Sequence, residues 1–211
     1  MIEIILLVSS VLFIFALKLF GRPSTAHRAN TFAMLAMALA VFSAFNFDFS
    51  KYDSAFYITI VVSGLLGVLI SKRVQMTQMP ELVGLFNGFG GGASGAIAYV
   101  ELSGNSLPLS DVFVAIFSMV IGIFTFSGSL VAVMKLRGKL NNFSKKFADI
   151  FSVFLPTIIV IPAVLEMHDL LIEFLILVAL TAGIIRVAVI GGADMPVVIA
   201  FLNSLSGIAA M

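Results

Sequence analysis

Eight apolar runs, each close to the length of a membrane-spanning helix, divide this chain. They cover roughly residues 2–20, 30–47, 54–72, 80–100, 109–134, 148–165, 168–189 and 195–211. About 20 apolar residues are needed to cross the hydrocarbon core of a bilayer, and 61% of the chain is hydrophobic while only 11% is charged. The sequence therefore predicts an all-α fold, a polytopic bundle of about eight transmembrane helices that forms one transmembrane domain over residues 1–211.

The basic residues fall on one side of this predicted arrangement. If the N-terminus lies outside, every Lys and Arg except Lys51 falls in or beside a cytoplasmic linker. Acidic residues such as Glu101 and Asp111 then fall on the outer side. Because cytoplasmic loops are enriched in Lys and Arg, the charge distribution predicts a multi-pass protein with its N-terminus outside.

The composition argues against several kinds of chemistry. The chain has no cysteine, and its two histidines, His27 and His168, lie in linkers without metal-ligand spacing, so we expect no thiol chemistry and no metal site. The stretch Gly88–Ala93 matches the dinucleotide pattern GxGxxG/A. That motif needs a preceding strand and a βαβ unit, which an apolar helix does not supply. The net charge of +1 gives no indication of a nucleic-acid partner.

A short pattern occurs twice: Met-Pro, with an asparagine seven residues after the proline. The first copy is Met79–Gly88 and the second is Met195–Ser204. Proline suits the first turn of a helix, so each copy predicts a helix start. At a rise of 1.5 Å per residue, Asn87 and Asn203 then lie roughly 10 Å along their helices. An unsatisfied amide is costly at that depth, so the repeat predicts a polar site.

Ser129 is predicted to lie at the same depth as the two asparagines. It belongs to the fifth run, which crosses in the opposite direction, and counting back from Lys135 places it about 9 Å from the cytoplasmic end. A layer of Asn87, Ser129 and Asn203 could hold water inside an aliphatic bundle. The alternative is that these side chains, with the small residues of 88–95, only join closely packed helices. The residues by themselves leave both interpretations open.

Glu81 and Asp194 are the acidic residues that flank the two motif prolines. The helix dipole favours negative charge at a helix N-terminus, so capping is a sufficient explanation for both. Asp194 also follows the flexible pair Gly191-Gly192. That pair permits a moving joint at the cytoplasmic face, where Asp194 could respond to a soluble partner.

Four stretches resemble the membrane domain of the beta subunit of proton-translocating NAD(P) transhydrogenase. They are Thr31-Phe32, Met76–Val83, Thr125–Ala132 and Gly191–Val198, and the resemblance extends over nearly the whole chain. In that family, hydride transfer between NAD(H) and NADP(H) takes place in soluble domains and is coupled to proton movement through the membrane domain. The resemblance implies that this chain is the proton-conducting membrane part of such an enzyme in the cell inner membrane.

The resemblance also implies roles for individual residues. Asn87, Ser129 and Asn203 match proton-path positions of the family, and Asp194, together with Glu81, would couple the membrane domain to the NADP(H)-binding domain. Many relatives have His where this chain has Asn87, and an asparagine amide can orient water but cannot bind and release a proton at physiological pH. The resemblance implies that a His on the alpha-subunit membrane helices completes the site.

The final membrane helix and the C-terminal NADP(H) domain of the family pattern are missing from these 211 residues. We therefore expect no cofactor bound by this chain and no hydride transfer by it alone. The implied partners are membrane lipid, the alpha-subunit membrane helices, the NADP(H)- and NAD(H)-binding soluble domains, and a second copy in a homodimer of the complete enzyme. Two other functions remain open from the residues: a stand-alone transporter of small solutes or ions, with the two motif helices lining a central site, and a non-catalytic membrane scaffold.

Overall fold

A computed structural model of the chain describes residues 2–44, 52–104, 107–141, 146, 149 and 168–209. Within these residues it contains seven α-helices and no strand, which confirms the all-α prediction. The helices are α1 (Ile2–Phe20), α2 (Ala26–Ala44), α3 (Ser54–Arg73), α4 (Met79–Gly104), α5 (Leu109–Leu136), α6 (His168–Ala188) and α7 (Met195–Ala209). Short 3-10 turns over Pro23–Thr25, Met76–Gln78 and Gly192–Asp194 precede α2, α4 and α7.

Seven of the eight predicted runs coincide with these helices, and the remaining run, 148–165, lies almost entirely outside the described residues. In the part of the chain that the structure describes, five stretches are long and apolar enough to span a membrane, namely Ile2–Phe20, Ser54–Arg73, Ser110–Leu136, Leu171–Ala188 and Gly192–Ala209. Helix α4 is also long enough, but its glycine, serine and asparagine residues make it less apolar. The count of eight spans, the outside N-terminus and the single domain stay predictions.

The structure divides into two compact units, residues 1–72 and 73–211. In the first unit, α1 and α2 pack against each other through small residues, and Ala16 and Ala36 are fully buried. The Ser9 hydroxyl donates a hydrogen bond of 2.8 Å to the carbonyl oxygen of Ala36, which ties the two helices together. Helix α3 buries none of its residues against the described parts of the chain.

Helix α5 is the centre of the second unit, because it contacts α4, α6 and α7, while α7 also contacts α4. Both Met-Pro patterns begin a helix, as predicted, since α4 begins at Met79 and α7 at Met195. Gly84 of α4 faces Val133 of α5 and Ile199 of α7. The N-terminal ends of α4 and α7 therefore lie at the same end of the unit as the C-terminal end of α5.

Candidate functional site

Asn87 and Ser129 form a direct hydrogen bond between α4 and α5. The Asn87 amide nitrogen donates to the Ser129 hydroxyl oxygen at 2.9 Å. Ser129 is fully buried and Asn87 is half-buried. The residue next to the asparagine is Gly88, and a side chain there would meet the Ser129 Cβ at 3.2 Å, so the glycine lets the two helices approach. The structure thus brings together two of the three residues of the predicted polar layer.

Asn203, the third residue, lines a groove of about 730 Å³ that Asn87 also lines. The groove lies between α4 and α7, with Gly90 and Gly91 in its wall. The Asn203 side chain is exposed and makes no hydrogen bond to any residue that the structure describes. The two asparagines therefore share one groove, as the repeat predicts, but they are not bonded to each other. An amide in this position is free to bind water or a group from a partner.

A second polar contact, between α5 and α7, was not identified from the sequence as part of the site. The Ser206 hydroxyl oxygen lies 3.1 Å from the Thr125 hydroxyl oxygen and 3.1 Å from the carbonyl oxygen of Leu202, so its single proton has two alternative acceptors. Thr125 is fully buried, and Ser206 lines the groove with the two asparagines. Helical spacing could have indicated both residues, since Thr125 lies four residues before Ser129 and Ser206 three residues after Asn203.

Glycines set the distance between α4 and α5. A Cβ atom at Gly122 would lie 2.6 Å from the carbonyl oxygen of Gly91 and 2.6 Å from the backbone nitrogen of Gly95. Gly91 and Gly95 are themselves buried against α5. Small residues let membrane helices pack backbone to backbone. This contact confirms the predicted packing role for Gly91 and Gly95, though not for Gly90, which has no neighbour within 4 Å among the described residues, and it holds the Asn87 and Ser129 side chains within reach of each other.

Ser127 has a structural role on another face of α5. It is buried, and its hydroxyl donates to the carbonyl oxygen of Phe124 within the same helix at 3.2 Å. The position faces Gly183 of α6, where a side chain would collide with the Ser127 hydroxyl. Ser127 therefore belongs to the packing of α5 against α6 and lies outside the groove.

Glu81 lies in the first turn of α4, as predicted, but it also has a partner that the sequence did not indicate. The Arg137 guanidinium, just beyond the end of α5, lies 2.6 Å from a Glu81 carboxylate oxygen. The Arg137 side chain is 45% exposed and the Glu81 side chain 19% exposed. Exposed ion pairs contribute little to stability because solvent screens them.

We expect the Glu81–Arg137 pair to contribute less than about 1 kcal/mol to the free energy of unfolding. A double-mutant cycle with Glu81→Gln, Arg137→Gln and the double variant measures this contribution through thermal unfolding in detergent. A coupling energy above about 2 kcal/mol would contradict the prediction and would indicate a desolvated pair that holds α4 against α5.

Asp194 is the last residue of the 3-10 turn that leads into α7, and its side chain is exposed. Nearby, the buried Lys135 ammonium donates to the carbonyl oxygen of Ile190 at 2.5 Å, which attaches the end of α6 to α5. The Lys135 carbonyl also lies 3.5 Å from where a Cβ of Gly192 would stand. The segment between Ile190 and α7 therefore begins at a fixed point and ends at an exposed acidic group.

Comparison with known proteins gives a consistent result. The family model described as NAD(P) transhydrogenase beta subunit matches residues 2–211. Two curated relatives, both named NAD(P) transhydrogenase subunit beta and both from Rhodospirillum rubrum, are each 32% identical to this chain over 219 residues. The match covers 97% of this chain and 47% of each relative, so the chain spans about half the length of the curated relatives it matches.

Proposed function

Because this chain belongs to the NAD(P) transhydrogenase beta subunit family, we propose that it forms the membrane proton-conducting part of a proton-translocating NAD(P) transhydrogenase. Family membership and the five apolar helices indicate a membrane protein with partner subunits. Its proposed location is the cell inner membrane. The partners would be the alpha-subunit membrane helices and the soluble domains that bind NAD(H) and NADP(H), in a homodimer of the complete enzyme.

The observation that carries this proposal is the hydrogen bond between Asn87 and Ser129, beside a groove that Asn203 also lines. Amides and hydroxyls both donate and accept hydrogen bonds, so together they can orient a chain of water molecules through an apolar bundle. None of the three side chains titrates near neutral pH. A proton would therefore cross this layer on water, and the group that binds and releases it would come from a partner subunit, facing the open side of the groove.

The soluble nucleotides would bind elsewhere in the complete enzyme. The stretch Gly88–Ala93 lies inside α4, where its backbone N–H groups belong to the helix and Gly91 packs against Gly122. A pyrophosphate needs free N–H groups at a helix N-terminus, so this stretch does not fit a dinucleotide. This chain would therefore take no part in hydride transfer itself. It would couple that reaction to proton movement.

Coupling would act through the N-terminal ends of α4 and α7. Glu81, paired with Arg137, lies at the first of these ends, and the exposed Asp194 precedes the second, so a soluble domain would bind Asp194 directly and would meet Glu81 within its ion pair. Asn203 follows Asp194 by nine residues, roughly 13 Å along α7. A domain that binds Asp194 differently in its two nucleotide states would shift α7 and so the Asn203 side of the groove.

A stand-alone transporter of small solutes is not favoured by the comparisons, and a passive scaffold gives no reason for an unbonded amide in a groove.

The test of the proposed function is proton movement by the complete complex in sealed vesicles. We expect a transmembrane pH difference during hydride transfer from NADPH to an NAD⁺ analogue, abolished by an uncoupler. The control is the same complex without this chain. Hydride transfer with no pH difference would contradict the proposal.

A further inference from the structure

Polar residues recur every seven positions on both α4 and α5. On α4 they are Asn87, Ser94 and Glu101, and on α5 they are Asp111, Ser118 and Thr125. Seven residues are close to two helical turns, so each set stays on one face with a drift of only about 20° per step. Two helices that pack against each other therefore each carry a polar row through an otherwise apolar environment.

Five of these six residues line two grooves that meet at Ser94, and the sixth, Thr125, is buried. The groove of Asn87 and Asn203 reaches Ser94 and Ser206. A second groove, of about 440 Å³, is lined by Ser94, Ser118, Glu101 and Asp111. Asn87 and Glu101 are separated by fourteen residues of α4, roughly 21 Å along the axis. Together the grooves extend from the Asn87–Ser129 layer to the end of the unit that carries the two carboxylates.

The hydroxyls along this line still have capacity to bind water. The Ser94 hydroxyl is half-buried and makes no hydrogen bond to any described residue, although a serine in a helix can satisfy itself on its own backbone. The Ser118 hydroxyl donates to the carbonyl oxygen of Ala209 near the end of α7, which leaves its own oxygen able to accept. Ser94 has no partner among the described residues and Ser118 has an acceptor oxygen to spare, so both can bind water in the second groove.

The carboxylates of Glu101 and Asp111 have no basic residue near them on α4 or on the adjoining part of α5. The sequence contains no Lys or Arg between residues 74 and 134. The Asp111 carboxylate accepts a hydrogen bond of 2.9 Å from the hydroxyl of Ser110, which keeps it in place. Negative charge at the mouth of a groove attracts cations, protons among them.

We propose, on the basis of the proposed function, that the second groove is the outer half of the proton path. Water would extend from the Asn87–Ser129 layer past Ser94 and Ser118 to Glu101 and Asp111, which would collect or release protons at the surface. The path is bounded by hydroxyls on α4 and α5 and closed on its third side by α7. Ser94 is the point where the two halves of the path join, since it is the residue that lines both grooves.

Cysteine labelling tests this proposal, because the chain has no cysteine of its own. Single variants Ser94→Cys and Ser118→Cys are placed in the complete complex in vesicles and exposed to a charged, membrane-impermeant thiol reagent. Ala93→Cys, next to Ser94 but facing an apolar groove, is the matched control. We expect both test positions to react at least about tenfold faster than the control, because a thiol reacts as its thiolate and apolar surroundings suppress ionisation. Labelling of both at the control rate would overturn the path.

A flux measurement separates this inference from the function on which it rests. Ser94→Val removes the hydroxyl and narrows the groove, so we expect proton-coupled transhydrogenation to fall at least about tenfold. Ala93→Val adds similar bulk beside it, toward an apolar groove, and should leave the rate unchanged. An unchanged rate in Ser94→Val would overturn the path while the proposed function stands. If the unsubstituted complex moves no protons, the proposed function fails, and the labelling still decides whether water fills the groove.

Discussion

Replacing Asn203 by leucine is expected to lower proton-coupled transhydrogenation by the complete complex at least about tenfold, a barrier increase of about 1.4 kcal/mol or more. Leucine has the same number of side-chain heavy atoms and the same branching, but it cannot donate to water or accept from it. The Asn203 amide lines the groove beside Asn87 and makes no bond to the described residues, so its available role is toward water or a partner. The rate is measured with and without an imposed pH difference, and NADP(H) binding is expected to be unchanged.

Two control variants assign the effect of Asn203→Leu to the lost amide. Ser204→Leu changes the next residue, whose hydroxyl donates to its own helix at Ala200, and should leave the coupled rate unchanged. Asn203→Ser keeps a group that both donates and accepts, so it should recover part of the activity. A leucine variant with the full coupled rate would exclude Asn203 from the proton path, even if Asn87 and Ser129 remained in it.

The sequence predicted the position of the polar layer because proline and asparagine constrain it locally. Proline fixes where α4 and α7 begin, and the fixed seven-residue spacing then sets the depth of both asparagines. Ser129 was placed by counting from Lys135, and the structure pairs it with Asn87. These predictions of depth need only the rise per residue and the cytoplasmic end of each helix as a starting point. They do not depend on which helices are in contact.

Helix boundaries were less predictable where polar residues extend a helix beyond its apolar run. Helix α2 begins at Ala26 and α4 continues to Gly104, whereas hydropathy placed these limits at 30 and 100. His27 and Arg28 are compatible with a helix but lower the local hydropathy. A search for apolar runs therefore detects the part of a helix that suits lipid and omits the turns that lie at its ends.

The sequence pattern did not predict which residues contact each other across two helices. The Glu81–Arg137 ion pair and the Ser206–Thr125 contact join residues that are 56 and 81 positions apart. Helical spacing defines which residues share a face, but the crossing of two helices decides which faces meet. In this unit the crossing depends on glycine, because the α4 and α5 backbones are too close for any larger residue.

Replacing Gly122 by alanine is expected to destabilise the chain by about 3 kcal/mol or more, at or above the upper end of the range for overpacking. The new methyl group would meet backbone atoms of Gly91 and Gly95 within 2.6 Å. Backbone atoms of a helix cannot rotate away as a side chain can, so α4 and α5 must separate. For a protein of this size we expect the midpoint of thermal unfolding in detergent to fall by roughly 6–12 °C.

Gly90→Ala is the matched control for this crossing, since a Cβ atom at Gly90 has no neighbour within 4 Å among the described residues. Alanine also favours the helix over glycine by roughly 0.5–1 kcal/mol, so the control should be neutral or stabilising. Equal destabilisation by both variants would show that loss of glycine itself, rather than contact between the backbones, is responsible. If Gly122→Ala alone unfolds early, the glycine contact holds α4 against α5, and with it the short distance between Asn87 and Ser129 on which the polar layer depends.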